Sequence, residues 1–257
     1  MNYLNVCVIV ACGAAASGLL IAQAAAPPAF EVATIKPSQP ETPGPLIGIS
    51  AGRLTLTSFT LKELMVFAYW IHPSQVLGAA GWMESDKFDI VAKPEGGQVP
   101  EEQLRKMLQS LLADRFQLKF HHDMKQLPAY ALVLAKNGSK MKARMPDDGG
   151  PGFRLVFQGA RLPGRNASMA QLAFVLQAVV LDRPVLDKTG LAGNFDFDLS
   201  WMPNETQFGG RGGTTPADPD SPDIFTAMTE QLGLKLESQK DPVDILMIDR
   251  AEKPSAN

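Results

Sequence analysis

The stretch that decides the fold is Thr60-Leu61-Lys62-Glu63-Leu64-Met65-Val66-Phe67-Ala68. Thr60 and Glu63 have the spacing of a capping box, in which a hydroxyl and a carboxylate satisfy free backbone donors reciprocally. Apolar residues then recur with the helical period and predict one buried stripe: Leu61, Leu64, Met65 and Ala68. The chain repeats this plan from Ser168, with Gln171 completing the box and a stripe of Met169, Leu172, Ala173 and Leu176. The repetition indicates an internal duplication.

The segments around these two helices also correspond. A hairpin precedes each helix, at 46–49 with 53–56 and at 154–157 with 161–162. A strand follows at 87–92 and at 194–199, and a second helix begins at Pro100 and at Pro222, with Ser221 as N-cap of the latter. Two alternating strands joined by a turn close each copy, at 116–120 with 129–134 and at 232–236 with 243–248.

The pattern therefore predicts an α+β fold, built as a tandem duplication of a small β-β-α-β-α-β-β unit with helices on mixed or antiparallel sheets. The predicted organisation is a signal peptide at 1–26, a first repeat at 27–135, a linker at 136–153 and a second repeat at 154–257. An extra strand at 30–35 precedes the first copy. A loop at 202–221 has no counterpart, and the four glycines around Arg211 favour disorder there.

The first 26 residues contain no charged residue, and an apolar run from Val6 to Ile21 ends in small residues that permit cleavage near Ala24 or Ala26. This pattern is typical of a Sec-type signal peptide, although no Lys or Arg precedes the run. The chain is expected to be periplasmic or secreted, and to contact a membrane only if this segment is retained. Both cysteines, Cys7 and Cys12, lie in it, so a mature chain would form no disulfide.

The composition and the motifs exclude several classes of function. A net charge of -3 without a Lys/Arg stripe argues against nucleic-acid binding. The sequence has no P-loop, dinucleotide fingerprint, nucleophile elbow or zinc-protease motif, so it assigns no catalytic residue and no cofactor. A carboxylate or serine site that forms only in three dimensions remains open.

Two short segments are candidates for metal ligands, and each also has a simpler interpretation. His121-His122-Asp123 is interpreted as a polar strand end before a turn, because no third histidine is near in sequence. The carboxylates of 218–223 lack the glycine and the terminal glutamate of a calcium loop, and Ser221-Pro222-Asp223 is already explained as a helix start. We therefore predict no metal site.

Two regions that the copies do not share form the candidate ligand or partner surface. Tyr69, Trp70 and His72, with Trp82 shortly after, are aromatic and imidazole groups that either line a pocket or cover the core at a helix end. Arg183, Asp187 and Lys188 belong to a charged segment at 181–191 that either shapes a loop by ion pairs or contributes to a site.

Several stretches together resemble a large paralogous family of exported proteins of unknown function from soil acidobacteria (a Solibacter-type domain). They lie at 30–38, 111–116, 187–196, 231–238 and 248–255. The resemblance implies export and an uncharacterised domain, and it supplies no catalytic residues. Related domains attached to membrane metallopeptidases suggest an extracytoplasmic sensing or binding role. Each half also looks like the small modules that recruit protein partners at the periplasmic ends of secretins, an analogy of fold only.

The sequence favours a non-enzymatic binding module whose partner is an unknown protein or small-molecule ligand of the cell envelope. This hypothesis requires an exposed apolar patch or a free sheet edge. The alternatives are a hydrolase or carbohydrate-active enzyme with a site between the repeats, and a ligand sensor with a closed pocket near Trp70 and Trp82.

Overall fold

The structure is a computed structural model that describes residues 28–39, 41–42, 44–50, 52–97, 99–145, 152–153, 160–210 and 220–255. The predicted signal peptide, the whole predicted strand 154–157 of the second hairpin and the centre of the glycine-rich loop lie outside the described residues. Within them, no helix is long and apolar enough to cross a membrane.

The first half of the chain runs to residue 135 and contains β1 (Phe30–Pro37), β2 (Leu46–Ser50), β3 (Arg53–Phe59), α1 (Leu61–Tyr69), β4 (Val76–Leu77), α2 (Trp82–Ser85), β5 (Phe88–Pro94), α3 (Glu101–Arg115) and β6 (Lys119–Leu134). A 3-10 turn, Pro73–Gln75, precedes β4. β1, β5, β3 and β2 form one sheet in that order, and each neighbouring pair is antiparallel.

The second half contains β7 (Lys142–Arg144), β8 (Gly152–Phe153), β9 (Arg161–Ser168), α4 (Met169–Val175), β10 (Val185–Asp187), β11 (Asn194–Ser200), α5 (Ile224–Ala227) and β12 (Leu234–Arg250). π-helical turns extend α4 through Leu176–Val180 and α5 through Met228–Leu232. β7, β11, β9 and β8 form a sheet with the same strand order as the first. The α+β class is confirmed, whereas the internal duplication stays a prediction.

A third sheet joins the halves, in the order β10-β6-β12-β4. β6 and β12 pair antiparallel along nearly their whole length, from Leu134 opposite Leu234 to Lys119 opposite Arg250. The short parallel strands cross over: β4 of the first half pairs with β12, and β10 of the second half pairs with β6. Each half therefore supplies strands to the other through this sheet.

The predicted turn between two closing strands is wrong in both halves, because β6 and β12 are each one continuous strand. Pro128 and Pro242, which suggested strand starts, lie inside these strands opposite Lys240 and Gln126. Tyr130, two residues after Pro128, donates its N–H away from β12 to the Pro184 carbonyl at 2.8 Å. Pro128 has the same orientation in the strand, so its missing N–H removes no bond between β6 and β12.

The remaining boundaries differ from the predictions in smaller ways. The predicted linker contains β7, which pairs with β11. The last helix is capped by Asp223 rather than Ser221, since the Asp223 carboxylate accepts the backbone N–H groups of Phe225 and Thr226. The first part of the glycine-rich loop is packed: Gln207 is buried, and its side-chain oxygen accepts the indole N–H of the preceding Trp201 at 2.9 Å.

Both predicted capping boxes are present. Thr60 and Glu63 exchange bonds at the start of α1, and Ser168 and Gln171 do so at the start of α4. A second device, which the sequence analysis did not identify, precedes each box. Ser58 and Asn166 have positive φ, 65° and 49°, and each donates its backbone N–H to a strand carboxylate, Asp89 or Asp196, at 2.9 Å. The register shifts at both places, so each forms a bulge that redirects the strand into its helix.

Two hydrophobic cores lie beside the shared sheet. The first buries the predicted stripe of α1 with Leu54, Leu56, Ile90 and Phe116, and the second buries the stripe of α4 with Leu162, Phe197, Leu199 and Trp201. Leu246 and Ile248 of β12 pack into the first core, while Leu132 of β6 packs into the second. The shared sheet thus places the end of α1 close to the side of α4.

Candidate functional site

An open groove of about 860 Å³ lies where the two halves meet. Its volume is within the range of about 300–1,000 Å³ typical of small-molecule sites. The lining comes from the end of α1, one side of α4 and the strands β10 and β11: Tyr69, Trp70, Ser168, Ala170, Gln171, Ala173, Phe174, Gln177, Val185, Leu186, Asp187 and Asn194. Apolar atoms make up most of this wall.

Trp70 forms the contact between the halves at the groove. It ends α1 in the left-handed conformation, φ 58° and ψ 48°, which is uncommon for a bulky residue. One side of the indole contacts the Arg105 guanidinium, 3.6 Å from the ring centroid, and the Phe174 ring of α4 lies 4.2 Å away, centroid to centroid. Arg105 is buried and ion-paired with Glu101 at 2.6 Å. These contacts hold Trp70 in one orientation.

Two glutamines of α4 present oriented amide groups. The Gln171 side-chain oxygen accepts the Ser168 N–H in the capping box, and the Gln177 side-chain oxygen accepts the Val185 N–H at 3.0 Å. Each amide is therefore fixed through its oxygen. The Gln177 residue is only 8% exposed, but its Nε2 is not among the buried unpaired atoms, so this donor stays accessible and makes no hydrogen bond with the described residues.

The remaining polar groups of the groove lie on β10, β11 and α1. Asp187 uses Oδ1 to accept the backbone N–H and the hydroxyl of Thr189, at 3.0 and 2.8 Å. Asn194 donates from Nδ2 to Asn166 at 3.0 Å. Burial raises the pKa of Tyr69 to about 12, so its phenol is neutral at physiological pH. The groove thus combines aromatic walls, amides and one carboxylate.

The seven predicted surface residues separate into four places. Tyr69, Trp70 and Asp187 line the groove. Arg183 and Lys188 lie beside it on the shared sheet, where each is ion-paired, with Asp182 at 2.8 Å and with Asp241 at 2.7 Å. Arg183 also lies over the Tyr130 ring, 4.8 Å from its centroid.

His72 has a structural contact rather than a place in the groove lining. It caps the 3-10 turn, with Nδ1 accepting the Ser74 N–H at 3.1 Å and lying 2.8 Å from the Ser74 hydroxyl. Burial lowers the pKa of His72 to about 4, although the Asp182 charge opposes this shift. A histidine with so low a pKa is a weak general base at neutral pH.

Trp82 packs against the first core as a partly buried side chain and does not line the groove. Its ring lies 6.3 Å from Phe88 and 6.5 Å from Phe116, centroid to centroid. The Lys253 ammonium covers it at 5.9 Å. The space near Trp82 is therefore occupied by side chains, and the cavity near Trp70 is an open groove.

His121 and His122 lie near the start of β6, and the strand continues through Leu134 without the predicted turn. Successive strand residues point to opposite faces, and the two imidazoles accordingly bond separate carboxylates, Asp249 at 2.8 Å and Asp244 at 3.0 Å. Among the described residues no group of three His, Cys, Asp or Glu side chains is placed to hold a metal ion.

Sequence reasoning missed most of the second-half wall, notably Phe174, Gln177 and Asn194. Phe174 and Gln177 lie outside the predicted stripe of α4 and read as ordinary surface residues. One signal was available: α4 carries an aromatic residue beside its stripe, directly after the second capping box, where a solvent-facing position would favour a polar side chain.

Residues 62–251 match the family model described as a protein of unknown function (DUF3738). No curated protein and no solved structure matches the chain.

Proposed function

We propose that this chain, which belongs to the DUF3738 family of proteins of unknown function, is an exported, non-enzymatic module that binds a small ligand in the groove between its halves. The observation that carries the proposal is the groove itself, where Trp70 of the first half and Phe174 of the second form aromatic walls and the Gln177 amide, held through its oxygen by Val185, has an accessible donor. A concave, mostly apolar wall with a few oriented polar groups is the usual form of a small-molecule site. Export is supported by the uncharged apolar segment at 1–26.

The enzyme alternative has less support from this wall. Glycoside hydrolysis needs two carboxylates across the scissile bond, and acyl transfer needs a nucleophile with a nearby base. Among the described residues that line the groove there is one carboxylate, Asp187, and no histidine. The only histidine–serine contact in the described chain, His72 with Ser74, forms a local cap outside this lining.

A second candidate is supported by a different feature, the edge strand β2. Leu46, Ile47 and Ile49 are each about half exposed, at 55%, 50% and 47%, on a strand whose one partner among the described strands is β3. Natural proteins usually protect such edges with charges or bulges, and β2 carries no charge. An extended segment of a protein partner is suited to pair with this edge as an added strand.

The groove is tested with a neutral aromatic probe, 2-phenylethanol, by saturation-transfer NMR titration of the purified chain. We expect binding in the millimolar range, as small fragments allow, and at least a tenfold loss for Phe174→Ala. The matched control is Phe225→Ala, because Phe225 is 37% exposed and does not line the groove. Equal effects of the two substitutions, or no binding by the parent chain, would refute the proposal.

A further inference from the structure

We propose that the ligand of this groove is an organic amine, with its ammonium group beside Asp187 and its apolar body against Phe174. This inference rests on the proposed function, since it concerns the chemistry of the same groove. It follows from three features of the described lining: its charge, the free oxygen of Asp187, and the amide of Gln177.

The charge of the groove favours a cation. Of its twelve lining residues, Asp187 is the only one that is charged at neutral pH. The cations nearby are each neutralised by a carboxylate of their own: Arg105 by Glu101, Arg183 by Asp182 and Lys188 by Asp241. Asp187 is exposed at the end of β10, and its charge attracts a positive ligand group to the groove and repels an anion.

The geometry of Asp187 leaves one oxygen for a ligand. Its Oδ1 accepts both the N–H and the hydroxyl of Thr189, which fixes the carboxylate at the end of β10. Its Oδ2 makes no hydrogen bond with the described residues, and the adjacent Lys188 is directed to both oxygens of Asp241 instead. The carboxylate is thus oriented before any ligand arrives, which reduces the entropy lost on binding.

Gln177 adds a requirement for an acceptor. Because its oxygen is held by the Val185 N–H, its amide donor has a fixed direction and cannot exchange roles with the oxygen. A hydroxyl or carbonyl oxygen on the ligand would satisfy this donor. The preferred chemistry is therefore an amine that carries an aromatic or aliphatic body and one oxygen acceptor, as in 2-amino-1-phenylethanol.

The test compares four probes of one size on the purified chain by calorimetry and ligand-observed NMR: 2-phenylethylamine, 2-amino-1-phenylethanol, 2-phenylethanol and phenylacetate. We expect both amines to bind at least tenfold more tightly than 2-phenylethanol, and phenylacetate to bind most weakly. Asp187→Asn should remove the preference for amines, so that on this variant both amines bind no more tightly than 2-phenylethanol. The asparagine keeps an oxygen for Thr189, and a thermal melt checks that the fold is retained.

Glu205→Gln is the matched control, because it removes the same charge from an exposed turn outside the groove. If the neutral probe binds as tightly as the amines, or if Glu205→Gln weakens the amines as much as Asp187→Asn does, the amine inference fails while groove binding stands. If none of the four probes binds, the amine inference and the proposed function fail together.

Discussion

At the start of α1 and at the start of α4 the backbone makes the same series of contacts. A positive-φ residue donates its N–H to a strand aspartate, Ser58 to Asp89 and Asn166 to Asp196, and a capping box follows two residues later. The two helices end differently. α1 stops at Trp70 in the left-handed conformation, whereas α4 continues through a π-helical turn that contains Gln177. The shared entrances fix the helices on their sheets, and the unlike exits form the groove.

The same comparison extends into the cores, one residue pair away from each bulge. In the first sheet Leu56 of β3 lies opposite Ile90 of β5, and both are fully buried. In the second sheet Gly164 of β9 lies opposite Phe197 of β11. A Cβ added to Gly164 would be 2.3 Å from the Phe197 ring, so the glycine leaves the space that the large ring occupies. At equivalent positions of the two sheets, the core space is therefore filled by side-chain pairs of different size, Leu56 with Ile90 and Gly164 with Phe197.

The largest expected effect comes from placing the leucine of the first sheet, Leu56, at the equivalent position of the second sheet, Gly164. Gly164→Leu should lower the free energy of unfolding by about 3 kcal/mol, because the added side chain overlaps the Phe197 ring. Urea unfolding followed by circular dichroism measures the loss. Adding Phe197→Ile restores the first-half pair and should recover more than half of that loss. If the double variant is no more stable than Gly164→Leu, the two sheets are not interchangeable at this position.

The next effect belongs to the first half alone, where His72 is buried between α1 and β4. Its folded pKa of about 4 lies below the unfolded value of 6.5, so the unfolded chain binds the proton first as the pH falls. The resulting stability is complete above pH 6.5 and declines towards pH 4, by at most about 3 kcal/mol. His72→Asn keeps a side-chain acceptor for the cap and should flatten this decline in urea titrations at several pH values. Identical pH profiles for the two chains would contradict the assignment.

The two capping boxes should contribute equally to the free energy of unfolding. Thr60→Ala and Ser168→Ala each remove the acceptor of one N3 amide, so each should cost about 1 kcal/mol in thermal or urea unfolding. Ser110→Ala is the control, since its hydroxyl donates to a carbonyl within α3 and is no cap. A cost at one box more than twice that at the other would show that the entrances are not energetically equivalent.

The smallest effect distinguishes the two bulges. Ser58→Gly should stabilise the chain by about 0.5–1 kcal/mol, because glycine adopts a positive φ without strain and no described hydrogen bond of the Ser58 side chain is lost. Asn166→Gly should instead be destabilising, since the Asn166 oxygen accepts the Asn194 amide at 3.0 Å. Differential scanning calorimetry measures both. Stabilisation by Asn166→Gly would mean that this bond contributes little.

Local chemistry made much of the scaffold predictable. The capping boxes, the apolar stripes and the strands at β3, β5 and β11 follow from bonds and periods within a few residues, and they lie where the sequence predicted. The bulges were not predicted, although Phe-Asp recurs at 88–89 and 195–196, because the partners Ser58 and Asn166 carry no local sign of a positive φ.

The strand pairing between the halves could not be predicted from such local sequence patterns. Pro128 and Pro242 suggested that strands begin there, and only the register of β6 on β12 shows that no ladder donor is lost. The groove depends on the same long-range pairing, which brings Trp70 against Phe174. Trp70 and Asp187 could therefore be predicted individually. Gln177 could not, because its amide is oriented by the N–H of Val185, which lies eight residues later in another element.

The pairing of β6 with β12 also implies a delay during biosynthesis, because β6 is synthesised well before its partner strand. The first pair to form along the growing chain, Leu134 with Leu234, joins residues separated by 100 positions. At translation rates of about 5–20 residues per second, β6 waits roughly 5–20 s for its partner. Throughout that interval its sixteen-residue edge is open to pairing with other nascent chains. The many charged and polar side chains between Lys119 and Gln126 then act as protection for a strand that is complete long before it can be used.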